Sequence, residues 1–489
     1  MKRTILLSLA AALTLGLTLR AQPMTLNEVI GVARANSVQA LQARAAFVSD
    51  YWAWRSYLAS RLPAVYLYGN VGSFDRSLRL LQNFETGEMV YTSNYNMENS
   101  IGIRARQNIT FTGGTLTVSN DLTRIDQFGV GGRTWYAQPI TLSYSQPVFS
   151  YNRFKWDKLI SPKEYERAKR NYLESMEDVT LEAVAEYFEV MVAQKVLEAS
   201  VTNYENTSRM LAIARERLAL GSVTRDEFLQ LELRMLNDSI SIDENRVALQ
   251  KARMQLNSLL GFSESQVINT VLEESLPGIE MDYNLVLRKC SENSSFNLDN
   301  EISVLNAESS IAQARANRGI SMQINARFGL SNSAKDIQET YQNLLDQEVV
   351  GLSFAIPIFD WGEGKGRVKK AEAAADVVRA QVEQAESDKR IALFTAVGQF
   401  NNQRRLCDVS RRAGAIALER YELVMDRFSA GTASVTDLNT ARSESDDAVR
   451  KYIQDVSRFW NYYYTLRKLT LYDFLAGNDI LVDYNEMVQ

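Results

Sequence analysis

One unit of this sequence occurs twice, and this repeat limits the folds that the chain can adopt. Two short motifs recur, and in each case the second copy lies 210 residues after the first. The paired residues are Pro147 and Pro357 in a Pro-x-Phe motif, and Arg217 and Arg427 with Gly221 and Gly431 in an Arg-x-x-x-Gly motif. Such a repeat has to be interpreted first, because overlooking it gives the wrong fold. The sequence therefore predicts two tandem copies of one supersecondary unit.

Within each copy the hydrophobic period changes in the same order. Residues 25–61 and 284–318 are rich in helix-forming residues without an interior proline, which predicts helices. Apolar and polar residues then alternate over 140–148 in the first copy, and over 320–331 and 350–358 in the second. Alternation over about ten residues is typical of a transmembrane β-strand with one face toward lipid and one toward a lumen. Half-buried strands of a soluble sandwich are the alternative.

A very long helix follows each Pro-x-Phe motif. Residues 152–220 and 362–430 read as helices, each of roughly 100 Å at about 1.5 Å per residue. Gly221 and Gly431 are predicted to end them, and Ser222 and Thr432 to cap returning helices that end near Gly261 and Leu471. Helices of this length need neighbours along their whole length, so they form a bundle or line a tube. A coiled-coil rod is the competing structure.

The first copy carries about 47 additional residues, which lie within 72–138. Residues 101–111 and 115–123 alternate on either side of Gly113-Gly114, which predicts a β-hairpin. The polar segments 74–98 and 125–136 flank it and are expected to be long loops. An added barrel hairpin fits this pattern, and an extracellular flap is the alternative.

The N-terminal residues predict export. Lys2 and Arg3 precede an apolar stretch, and a cleavage site is expected before Gln22, so residues 1–21 form a predicted signal peptide. An uncleaved anchor is the alternative. No later run of about 18 apolar residues occurs, which argues against helical membrane spans. The periplasm, secretion or an outer-membrane β-barrel remain as destinations.

The composition weakens enzymatic and nucleic-acid functions. The chain has no histidine, which removes the commonest metal ligand and the usual general base. Cys290 and Cys407 are expected to be unpaired thiols rather than a disulfide. Loss of residues 1–21 would change the net charge from −5 to −8, which argues against nucleic acid as a partner. We expect no catalytic site, no metal and no cofactor.

The paired motifs resemble those of the TolC-like outer-membrane efflux proteins, over nearly the whole predicted mature chain. The resemblance implies a mainly α fold with a transmembrane β-barrel part: a homotrimeric β-barrel continued by a long periplasmic α-helical barrel. The resulting divisions are a signal peptide (1–21), a first outer-membrane-factor repeat with an extra hairpin (22–261), a connecting equatorial segment (262–283), a second repeat (284–471) and a C-terminal tail (472–489).

The resemblance also implies a function and partners. The chain would be the outer-membrane exit duct of a tripartite efflux or type I secretion system, a passive conduit with a periplasmic gate. Its partners would be two further copies of itself, a periplasmic adaptor protein, an inner-membrane pump and outer-membrane lipid. It would lie in the cell outer membrane and extend into the periplasm. The alternative is a non-channel periplasmic coiled-coil scaffold.

Site residues follow by position. The resemblance implies a periplasmic gate formed by Asp437, Glu227, Phe428, Arg427 and Arg217, adaptor-contacting tips at Gly221, Ser222, Val223, Gly431, Thr432 and Ala433, and strand–helix joints at Pro147 and Pro357. The strand pattern predicts that Arg104, Arg106 and Arg327 face the lumen.

The gate positions depart from the family pattern. Ala433 and Thr440 replace residues that are often basic and acidic in the family, and Phe428 replaces a tyrosine. Phe428 cannot donate a hydrogen bond, so we expect a differently latched mouth. The alternative for Asp437 and Glu227 is that they are favoured only as acids in the first turn of a helix.

Overall fold

The computed structural model describes residues 23–82, 87–129, 131–264, 266–272 and 276–488. The predicted signal peptide, residues 1–21, lies outside them. The chain forms two compact units that do not follow sequence order. We call them the sheet unit, Ser49–Arg167 with Leu298–Gln384, and the helical unit, Met1–Val48 with Ala168–Asn297 and Ala385–Gln489.

The sheet unit contains a six-stranded antiparallel sheet whose strand order follows the chain. Its strands are β1 (Ala64–Gln82), β2 (Met89–Ile109), β3 (Gly114–Gln127), β4 (Gly132–Val148), β5 (Ser321–Ala334) and β6 (Leu345–Ala355). Strand β4 pairs directly with β5, so one sheet combines residues from both halves of the chain. Gly113, at φ 80°, makes the tight turn between β2 and β3.

The prediction of long loops at 74–98 and 125–136 is wrong. Residues 73–82 pair one to one with 89–98, so the β1–β2 hairpin continues far beyond the apolar stretch. Residues 125–127 likewise pair with 132–134. Backbone pairing between neighbouring strands satisfies the N–H and C=O groups whatever the side chains are, and a polar segment can therefore remain a strand.

The sheet has one apolar face that is open to solvent in the chain. Leu67, Ile101, Val350 and Phe354 are between 56% and 73% exposed. The register brings their strands into one sheet, with Leu67 opposite Ile103 and Leu352 opposite Ile324. A contiguous exposed apolar surface of this kind is typical of a face that contacts a membrane or another protein.

Eight α-helices make up most of the rest of the described chain. They are α1 (Leu26–Asn36), α2 (Val38–Ala59), α3 (Arg153–Ala219), α4 (Arg225–Leu260), α5 (Tyr283–Asn293), α6 (Phe296–Arg318), α7 (Glu363–Ala430) and α8 (Val435–Thr470). Helices α3 and α7 contain 67 and 68 residues. Among the described helices, none combines the length and the apolar character needed to cross a membrane.

The two early helices predicted at 25–61 and 284–318 are each interrupted. Ser37 has extended backbone angles; its N–H donates to the carbonyl of Ala33 at the end of α1. Its hydroxyl accepts from the N–H of Ala40 at 3.1 Å and so caps α2. Ser294 likewise ends α5 in an extended conformation. A serine can satisfy the backbone groups at a helix end, which makes such a break inexpensive.

The helical unit has a core of aromatic and aliphatic side chains from several helices. Phe400 of α7 and Phe459 and Tyr463 of α8 are buried together, with the two phenylalanine rings 5.0 Å apart. Cys290 and Cys407 are both free and buried, in agreement with the prediction of unpaired thiols. Burial raises the pKa of the Cys407 thiol to about 11, so the group stays protonated and unreactive near neutral pH.

Candidate functional site at the hairpin tips

Helices α3 and α4, and helices α7 and α8, are joined by two short turns that we call the first tip (217–227) and the second tip (427–437). Gly221 and Gly431 have φ values of 71° and 82° in the left-handed region. The N–H groups of Ser222 and Thr432 donate to the carbonyls of Arg217 and Arg427 at 2.9 and 2.8 Å. This is the Schellman arrangement, which satisfies the last carbonyls of a helix and favours glycine.

The prediction that Ser222 and Thr432 cap the returning helices is wrong. Their hydroxyls donate to the same Arg217 and Arg427 carbonyls, at 3.2 and 3.1 Å, and so complete the preceding helices instead. The N-caps are Thr224 and Ser434, two residues further along. The turn needs those two residues to reverse the chain before the next helix can begin.

The acidic gate candidates take part in these caps. Glu227 accepts from the Thr224 N–H at 2.9 Å, and Asp437 accepts from the Ser434 N–H at 3.0 Å, each within a complete capping box. The Ser434 hydroxyl and N–H hold the pKa of Asp437 below its usual range, and the Thr224 N–H does the same for Glu227. Both carboxylates are therefore ionised near neutral pH. In the structure each carboxylate caps the first turn of its helix, which is the role given above as the alternative to a gate.

Arg217 connects the two tips. Its guanidinium donates to the carbonyl of Phe428, in the last turn of α7, at 3.0 Å. A Cβ atom added to Gly431 would overlap the same guanidinium, which therefore lies directly against the second tip. Arg427 instead donates to the carbonyl of Thr432 within its own turn, at 3.1 Å. The two equivalent arginines thus have different partners, and of these two it is Arg217 that contacts the other hairpin.

A small apolar cluster supports the tips from inside. Phe428 is 4% exposed, and it packs with residues of all four hairpin helices. The cluster consists of Met210, Leu211, Ala214, Leu231, Tyr421, Val424, Phe428, Val435, Leu438 and Ala441. At the turns themselves, Gly221, Ser222, Gly431 and Thr432 are exposed, whereas Val223 and Ala433 are half-buried. The aromatic ring thus stabilises the hairpin pair, while four small turn residues remain available to a partner.

Behind this cluster lies a buried polar group that sequence reasoning missed. Arg442 of α8 makes a two-pronged ion pair with Asp238 of α4, with nitrogen–oxygen distances of 3.0 and 2.8 Å. Their side chains are only 9% and 3% exposed. Thr207 of α3 donates to the same carboxylate at 2.7 Å. Because α8 belongs to one hairpin and α3 and α4 to the other, the ion pair fastens the two hairpins together.

The polar group extends into a cavity of about 300 Å³ between the hairpins. Asp446 lines it, accepts from the Asn203 amide at 2.9 Å, and lies 3.8 Å from the Arg442 guanidinium. Burial raises the pKa of Asp446 above its usual range. Asp238 and Arg442 line the same cavity, so the ion pair lies at its wall.

The strand–helix joints are strained and apolar. Pro147 is the penultimate residue of β4, and Pro357 lies between the end of β6 and the start of α7. Just after them, Phe149 and Trp361 have positive φ values of 61° and 52°. Phe149 and Trp361 are also 68% and 89% exposed, although large aromatic side chains are normally buried. Aromatic residues at such positions are typical of a membrane–water interface.

The comparisons with known proteins include one family model that matches part of the chain. The model of the outer membrane efflux protein family matches residues 298–470. The resemblance to outer-membrane efflux proteins is confirmed. No curated protein matches the chain.

Solved structures of outer-membrane proteins share the fold. The outer-membrane channel OprN is 16% identical and has a TM-score of 0.64, with 91% of this chain and 89% of that chain covered. The outer membrane protein VceC of Vibrio cholerae is 14% identical and has a TM-score of 0.63, with 93% of this chain and 96% of that chain covered. The CmeC channel of Campylobacter jejuni is 15% identical and has a TM-score of 0.64, with 94% of this chain and 88% of that chain covered. At these identities the similarity shows the fold alone, which is mainly helical with one large sheet.

Proposed function

We propose that the chain is the outer-membrane exit duct of a tripartite efflux or type I secretion system. The observation that carries this proposal is the match of nearly the whole fold to outer-membrane channels, combined with the efflux family match over 298–470. The family and its structural neighbours are channels rather than enzymes. In this proposal, energy and substrate choice come from the pump, and the chain supplies a passive conduit.

The sheet supports the membrane part of the proposal. Its apolar face carries exposed Leu67, Ile101, Val350 and Phe354, which would be stabilised by contact with lipid. Each strand's alternate residues would face water inside a closed barrel formed by three copies. Closure also pairs the outer edges of β1 and β6 with neighbouring copies, which removes the unpaired backbone groups of an open sheet.

The tips support the periplasmic part. We propose that the exposed turn residues Gly221, Ser222, Gly431 and Thr432, with half-buried Val223 and Ala433, contact the adaptor. We propose that Asp437, Glu227, Arg427, Arg217 and Phe428 form the closed mouth. Asp437 would stand near its copies around a threefold axis, where three like charges attract cations and repel one another.

Substitutions at Asp437 separate gating from capping. Asp437→Asn removes the charge but keeps an oxygen that can accept from Ser434, whereas Asp437→Ala removes both. If Asp437 acts at the mouth, both variants are expected to change single-channel conductance and cation preference in planar bilayers. If the residue acts only as a cap, only the alanine variant differs, through lower thermal stability. Asp226→Asn, an exposed first-turn acid of the first tip, is the matched control.

The same recordings test the conduit itself. Purified full-length protein that forms no pore, either alone or with a substitution at Asp437, would contradict the exit-duct proposal. A protein that is washed from membranes by high salt would favour the periplasmic scaffold instead. Retention in the outer-membrane fraction and a slower-migrating oligomer that disappears on heating are the expected results.

A further inference from the structure

The strand register brings two distant arginines into one row of the sheet. Reading across the paired residues from β1 to β6, the row contains Ala64, Arg106, Thr117, Ser143, Arg327 and Val349. Directly paired residues have side chains on the same face of a sheet. Arg106 and Arg327 therefore share a face, three strands apart, which corresponds to about 14 Å at a strand spacing of about 4.8 Å.

The neighbouring row adds a third cation to this face. Arg104 lies two residues from Arg106, and its row of paired residues continues through Ser119, Thr141, Gly329 and Gln347. Its guanidinium lies over the ring of Tyr68, 4.3 Å from the ring centre. We call Arg104, Arg106 and Arg327 the arginine row. Its other members are small or neutral, so nothing within these two rows neutralises the charge.

The one acidic residue near the arginine row is already engaged. Asp121 lies one row further along the same face, opposite Gly102. It accepts hydrogen bonds from the hydroxyls of Tyr68 and Ser119. Within the described residues, Arg106 and Arg327 have no carboxylate within ion-pair distance, and both are exposed. In the three rows from Arg106 to Asp121, this face therefore carries three cations against one anion.

We propose that the arginine row makes the strand part of the conduit selective for anions. The inference rests on the proposed exit duct, in which this face lines the water-filled lumen. Arginine occurs on the second and fifth of six strands, so a barrel of three sheets would carry an arginine on every third strand around its wall. Unpaired charges of one sign in a confined aqueous passage raise the local concentration of counter-ions. The row is opposite in sign to Asp437.

The test is the reversal potential of single channels under a potassium chloride gradient. Asp437→Asn serves as the background, so that the charge at the second tip does not mask the strand region. In this background the chloride-to-potassium permeability ratio is expected to exceed 1. The added double substitution Arg106→Gln/Arg327→Gln is expected to lower the ratio toward 1, because the three rows then retain one cation and one anion. Arg106→Lys/Arg327→Lys is expected to retain the preference.

Arg133→Gln is the matched control. Arg133 is an exposed arginine of the same sheet, but it pairs with Asp126 on the opposite face and should leave the ratio unchanged. A background channel that prefers potassium, or an equal shift with Arg133→Gln, would overturn the assignment of the arginine row. Absence of any conducting pore would instead refute the exit duct itself. A glutamine variant that no longer forms the oligomer is replaced by the lysine pair, whose loss of preference would also overturn the inference.

Discussion

The buried ion pair between Asp238 and Arg442 offers the sharpest test of how the two hairpins are held together. Arg442→Met removes the guanidinium while keeping much of its length. The carboxylate of Asp238 then retains Thr207 at 2.7 Å and Arg234 of its own helix at 3.3 Å. Arg234 is 37% exposed and cannot replace a two-pronged buried partner.

The loss of stability expected for Arg442→Met follows from the burial of the ion pair. Removing one partner of a buried ion pair typically destabilises a protein by about 3–5 kcal/mol, because the other charge remains without compensation. The remaining contacts of Asp238 place the loss near the lower value, about 3 kcal/mol. In contrast, Arg450 and Asp447 form an exposed pair with side chains 44% and 68% exposed. Arg450→Met should cost about 0–1 kcal/mol.

Thermal unfolding of the detergent-purified full-length protein measures how much stability Arg442→Met and Arg450→Met each lose. A loss of about 3 kcal/mol corresponds to a midpoint lower by roughly 5–10 °C for a unit of this size. Asp238→Leu combined with Arg442→Met should recover most of the loss, since an apolar pair leaves no buried charge. Equal effects of Arg442→Met and Arg450→Met would refute the reasoning. So would a double variant whose loss is the sum of the two single losses.

Two further predictions concern the tips. Phe428→Ala should destabilise the protein by about 3–5 kcal/mol, since the ring is 4% exposed, and Phe428→Leu by clearly less; chemical denaturation compares them. Asp437 has a lowered pKa, so its capping contribution is present above the unfolded pKa of about 3.8 and is lost as pH falls through the folded value. Thermal midpoints from pH 6 to pH 3 should therefore converge between the wild type and Asp437→Ala, and a constant gap would contradict this.

The long helices were accessible from the sequence because their signals are local. The predicted ranges 152–220 and 362–430 differ by one residue at most from the observed ends of α3 and α7. Each range is rich in helix formers and stops at a glycine that can adopt a left-handed conformation. The displaced N-caps also had a local signal that was overlooked. Thr224 and Ser434 are each followed three residues later by an acid, which is the capping-box pattern.

The polar group behind the tips had no such signal. Thr207, Asp238 and Arg442 lie on three helices, and Arg442 follows Asp238 by 204 residues. Each residue alone is an ordinary polar position of a charged helix. Only packing of the hairpins shows that their side chains meet and become buried. The arginine row is comparable. Alternation along a strand predicts the face of each arginine separately, but the register of three successive strand pairings is needed to place Arg106 and Arg327 in one row.

The glycines of the two tips provide a last test, because they share a conformation but not their surroundings. Alanine at Gly221 or Gly431 should cost about 1–2 kcal/mol through the left-handed backbone alone. A Cβ atom at Gly221 meets nothing within 4 Å, whereas one at Gly431 displaces the Arg217 guanidinium. Gly431→Ala should therefore also weaken the bond from Arg217 to the Phe428 carbonyl and raise the open probability of the channel. Gly221→Ala should lower stability without that change in opening, and equal open probabilities would show that Arg217 does not hold the mouth closed.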